Sequence, residues 1–199
     1  MRRRQNVASD VGLLVLRAVS GGLLAGHGAQ KLFGWFGGPG PRGTAGLMEA
    51  IDMRPGDAWA LAAGGSEFAA GVLTALGLCW PVGPIATIGP MGMAIGTVHR
   101  GKPIWVTEGG AELPVTYMAV AVALTLTGPG RLSLDRVLRV RVPGPLVALT
   151  AAGVAGGLAV GLSMARRAAS APAPAPAPEE PPADGVQPEP SPRSAARSR

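Results

Sequence analysis

His27 and Lys31 stand one helical turn apart in the stretch HGAQKLFGWFGGPG, residues 27–40, and Arg17 lies fourteen residues before Lys31 with Leu24 midway. At 3.6 residues per turn, seven-residue steps keep Arg17, Leu24 and Lys31 on one helix face, with His27 on much the same side. A stripe of that kind can hold an anion, carry a proton or partner a carboxylate. Glu67 is the only charge between Ala58 and Cys79. If the two segments cross a membrane antiparallel, Arg17 and Glu67 differ in depth by under about 10 Å, within reach of an arginine. Two readings stay open. The pair is a proton or ligand site, where a carboxylate beside a cation titrates and binds a quinol or an oxyanion, or it is a neutralised structural pair joining two helices. His27, Lys31, His99, Arg100, Lys102, Glu108 and Glu112 form a second group, expected near the outer interface. It reads either as a shallow basic basin for a small anion or a quinone headgroup, or as ordinary snorkelling of long cations.

Other chemistries find little support. His27 and His99 are the only histidines, no CxxCH is present to attach haem, and no HExxH or cysteine pair suggests zinc, so no metal site is expected. Cys79 is the only cysteine, which excludes an internal disulfide. The glycines of GWFGGPG, residues 34–40, lack the following Lys-Ser/Thr step of a phosphate cradle and read as a flexible exit loop, continuing to about Asp57 as a possible lid. The net charge is +6, but the 16 arginines gather at the ends of apolar runs and in the tail. No basic face interleaved with aromatics appears, so nucleic acid is not an expected partner.

These side chains must be positioned by membrane-spanning helices. Only 15% of the 199 residues are charged, against about 25% in soluble domains, and none is charged from Phe68 to Val98, a run longer than the roughly 20 residues one crossing needs. After a basic start at 1–10, spans are predicted at about 11–32, 58–79, 82–98 and 112–127. A linker and fifth transmembrane helix follow at 139–165, and an Ala/Pro-rich tail at 166–199 has too little to bury for a fold. Trp35, Trp59, Trp80 and Trp105 lie near span ends, where indoles favour headgroup depth. Arg2, Arg3 and Arg4, with Arg131, Arg136, Arg139 and Arg141, put the N-terminus in the cytoplasm by the positive-inside rule. Four-residue spacings of small residues, Gly22/Gly26, Gly92/Gly96 and Gly153/Gly157/Gly161, favour close helix packing. The last set can pair either with a second copy or within the chain.

Three stretches taken together resemble the DoxX family of small bacterial membrane proteins: the first helix with HGAQKLFGWFGGPG, then GGSEFAAGVLTALGL at 64–78, then EGGAELPVTYMAVAVALTLTGPGRLSLD at 108–135. The likeness covers about residues 11–138. It implies an all-α polytopic bundle of four helices in a bacterial cytoplasmic membrane, with the fifth helix as an addition. Where the family's third stretch usually has asparagine and an aromatic, this chain has Glu108 and Ala111. The likeness also implies an accessory or quinone-facing subunit of a membrane redox system of sulfur, thiol or oxidative-stress chemistry. Arg17, His27, Lys31 and Glu67 would form its polar interior, and electrons would come from a redox enzyme partner. A scaffold recruiting soluble enzymes and a small-solute permease using Glu67 are the alternatives.

Overall fold

The computed structural model describes residues 7–170 and is helical throughout, with no strand among those residues. Seven α-helices follow in order: α1 Val7–Phe33, α2 Gly40–Ala50, α3 Gly56–Leu76, α4 Val82–Gly96, α5 Glu112–Thr127, α6 Leu134–Leu138 and α7 Gly144–Ala169. Two 3₁₀ turns, Trp35–Gly37 and Val106–Glu108, lie in the connections. The helices α1, α3 and α7 are long and apolar enough to cross a membrane, and α4 and α5 are shorter apolar helices of 15 and 16 residues. The expected class, an all-α membrane bundle of four helices plus one, is what the chain adopts. The basic start through residue 6 and the Ala/Pro-rich tail from residue 171 lie outside the described residues.

α1 and α3 pack antiparallel through glycine. A side chain added at Gly21 would run into the backbone of Gly71 and Ala75, and one at Gly28 into the backbone of Gly64 and Phe68. Gly71 meets Ala25 in the same way. In lipid, where apolar surface gains little by leaving its solvent, such close backbone contact is the main attraction between helices. The four-residue pair singled out from the sequence, Gly22 and Gly26, faces open space instead. The core behind this seam is built on Leu24, Ala70, Met91 and Tyr117.

Two segments expected as loops are helical. In the supposed lid, Gly34 ends α1 in the left-handed region (φ 70°), and α2 then packs onto α3. Buried Thr44 of α2 donates to Gly40 O at 2.7 Å and to Lys31 O at 3.4 Å, which holds α2 against the last turn of α1. Phe33, Trp35, Phe36 and Phe68 form a chain of ring contacts beside that turn. α6 interrupts the arginine-rich 131–141 segment, and α7 continues through Arg166 and Arg167 into what the sequence assigned to the tail.

α7 runs parallel to α4. Val154, Leu158 and Leu162 sit over Gly89, Gly92 and Gly96, a constant offset of 65 or 66 residues. Helices α1, α3, α4, α5 and α7 therefore connect two ends of the bundle. The proximal end holds the start of α1, the α3–α4 turn and residues 128–143. The distal end holds α2, the 97–111 connection and the last turns of α7.

Candidate functional site

Glu67 is only 6% exposed, and its partner is Lys31, whose Nζ bonds both carboxylate oxygens. Arg17 does not reach it. The glycine register explains why: Gly21 against Gly71 and Gly28 against Gly64 place Arg17 level with Gly77 and Glu67 level with His27. Arg17 and Glu67 are thus about ten residues, or roughly 15 Å, apart along the helix axis. Arg17 is instead buried (2% exposed) at the proximal end, its guanidinium donating to Ala75 O and Leu132 O while Nε has no partner.

His27 is level with Glu67 but exposed on the far flank of α1. Successive residues turn by about 100°, so a histidine beside inward-facing Gly28 is swung toward lipid. The expected polar interior therefore keeps Arg17, Lys31 and Glu67 and loses His27. Of these, the structure joins only Lys31 and Glu67.

The outer group is largely occupied with its own loop. His99 Nδ1 bonds Gly109 O at 2.7 Å, and Glu112 Oε2 accepts from Val106 N at 3.0 Å. Glu108, Arg100 and Lys102 are exposed in the same connection. Those bonds fold the 97–112 segment onto itself. Lys31, counted with that group from the sequence, belongs to the Glu67 pair.

The Lys31–Glu67 pair opens on a cavity of about 480 Å³ between α3, α4 and α7, covered distally by Met48, Ile51 and Met53. That volume falls in the usual range for small-molecule sites, which are mostly apolar with few polar groups. Trp59, Met93, Pro90 and Ala86 form much of the wall. Pro90 has no N–H to give to Ala86 O, its usual acceptor four residues back, so α4 is weakened where it borders the cavity. Gly153 and Gly157 line the cavity from α7, while Gly161 packs on Met93 and Trp59 of the same chain. Of the two arrangements the sequence left open for these glycines, Gly161 takes the one within the chain, while Gly153 and Gly157 remain exposed at the border of the cavity.

A second polar cluster at the proximal end went unread in the sequence. Asp10, 4% exposed, accepts from Arg131 N at 2.9 Å. Asp135 accepts from Cys79 N at 2.8 Å and Trp80 N at 2.7 Å, and its own N–H donates to Gly77 O. Non-helical backbone at membrane depth must be satisfied by protein, and these carboxylates and Arg17 satisfy it. The available signal was a pair of aspartates flanking apolar runs, which reads equally well as a solvated helix end. Among the described residues no group of three or more His, Cys, Asp or Glu side chains gathers as a metal site.

The family model that matches the chain is DoxX, over residues 12–100, covering α1 to the end of α4 and stopping short of the third resembling stretch at 108–135. No curated protein and no solved structure matches the chain.

Proposed function

Since the chain belongs to the DoxX family through residues 12–100, we propose that it is the quinone-facing membrane subunit of a redox system. The partner would be an enzyme oxidising thiols or related sulfur compounds. The observation that carries this reading is the Lys31–Glu67 pair bordering a mostly apolar cavity of about 480 Å³. Ionisable groups inside a span cost about 2.5–3.5 kcal/mol each on insertion scales, so a pair kept there and left facing a cavity calls for a use. Lys31 remains partly exposed (27%), consistent with an ammonium able to bond a ligand as well as its partner.

A quinone bound there supplies two-electron, two-proton chemistry. The Lys31 ammonium would donate a hydrogen bond to a ring oxygen, and the Glu67 carboxylate would hold that ammonium in place and accept a proton on its way to or from the site. Oxidation of two thiols to a disulfide releases two electrons and two protons, and reduction of the quinone takes up both. The apolar wall keeps the ring out of water, and the partner supplies the electrons. We place this system in a bacterial cytoplasmic membrane with the N-terminus inside, supported by Arg131, Arg136, Arg139 and Arg141 at the proximal end.

Full-length protein in nanodiscs, titrated with a benzoquinone and followed by quenching of Trp59 on the cavity wall, tests the reading. Saturable binding is expected, weakened about tenfold or more in Glu67→Gln and Lys31→Met, the cost of losing a hydrogen bond to a charged group. Absence of saturable quenching in the wild type, or equal binding in both variants, overturns it. Mass spectrometry of whatever copurifies from native membranes checks the partner.

A further inference from the structure

α7 lies beyond the matched residues and is the least buried of the long helices, with 6% of its apolar stretch buried against 33% for α3. It nevertheless supplies one wall of the cavity. Its leucine and valine knobs are spent on Gly89, Gly92 and Gly96 of α4, and Gly161 is filled by Met93. Between those contacts, Gly153 and Gly157 have nothing within 4 Å of where a side chain would begin, and both border the cavity. From Thr150 to Leu158 the wall extends about 12 Å along the helix. Small residues also face it from the other helices, among them Ala62, Ala63 and Ala94.

The hydroxyls along this slot have their protons committed and offer no donor to a quinone oxygen. Ser66 Oγ donates to Ala63 O, Thr97 Oγ1 to Met93 O and Thr150 Oγ1 to Leu146 O, each a carbonyl of its own helix or its immediate end. Polar recognition is therefore confined to Lys31 and Glu67, and the rest of the volume suits a flexible hydrocarbon. Building on the quinone reading, we propose that α7 forms a tail slot. It makes the site select a quinone bearing a long isoprenoid or alkyl chain over the bare ring, and Gly153 and Gly157 determine that preference. The chain leaves along the exposed flank of α7 into the bilayer.

The test compares, in nanodiscs and at equal mole fraction in the lipid, a benzoquinone carrying a decyl chain with the same ring carrying only methyl. The full-length wild type is expected to bind the decyl compound more tightly, by about fivefold, the scale of packing differences in membranes. In Gly157→Leu or Gly153→Leu the preference for the decyl compound over the methyl compound disappears. Gly156→Leu, whose added side chain also meets open space but away from the cavity, serves as the folding control and keeps the wild-type preference. A preference retained in both cavity variants, or no preference in the wild type, overturns the tail slot and leaves the ring site standing. A wild type that binds neither compound removes the ring site and the slot together.

Discussion

Lys31 and Glu67 hold each other from helices on opposite sides of the glycine seam, so removing one leaves the other charged and unpaired inside the bundle. Glu67→Gln or Lys31→Met alone is expected to cost about 3 kcal/mol, and the double variant to recover most of that because both charges go together. Thermal unfolding in detergent measures both. If quinone binding stays lost in the stable double variant, the pair serves the ligand as well as the fold. Asp135 does a different job with the same chemistry, taking two backbone N–H groups that the α3–α4 turn cannot pair. Asp135→Asn keeps the shape but gives up the charge and one acceptor. A loss of about 1–3 kcal/mol is expected, and an unchanged melting temperature would show that the turn does not depend on it. That Arg17, Lys31 and Glu67 lie in the interior was legible from their spacing and cost. Which cation meets the carboxylate was not, because that depends on a register between helices that no single-helix pattern contains.

The register is a property of α1 and α3 as elements, set by four glycines at seven-residue spacing. Gly71→Val would drive a branched side chain into the Ala25 backbone and is expected to abolish the folded bundle, whereas Gly22→Val, facing open space, should melt like the wild type. Size-exclusion profiles of the two proteins, made in parallel, separate these outcomes. Pro90 marks the other element with a built-in weakness. Pro90→Ala restores a hydrogen bond in α4 and should raise its protection from amide exchange. The long helices lie on apolar runs because hydrophobic length is a one-dimensional signal. α2 escaped notice because GWFGGPGPRG is composed as a loop; Pro41 sits in the first turn of that helix, where its missing N–H would be unpaired in any case. The seven-residue spacing of Gly21/Gly28 and Gly64/Gly71 was also present in the sequence, overshadowed by four-residue spacings that match the familiar small-residue motif.

At the scale of the whole molecule, the five apolar helices put the start of α1 and the end of α7 at opposite ends of the bundle. Single cysteines at exposed Val137 in α6 and Phe36 after α1, in a Cys79→Ser background, report the orientation. An impermeant maleimide is expected to label Phe36→Cys on intact cells and Val137→Cys only after permeabilisation, and the reverse pattern would invert the molecule. Five apolar helices were countable from the sequence, but the closure of the bundle was not, since it relies on contacts between parts far apart in the chain. Arg17 bonds Leu132 across 115 positions, and Asp10 bonds Arg131 across 121. This gives assembly a clock. α1 is made early with Arg17 and Asp10, and although Ala75 O can take one guanidinium N–H once α3 is made, Leu132 O and Arg131 N come only after the chain has passed residue 131. The segment that completes both sets of bonds is therefore a short loop after α5 rather than any of the long helices.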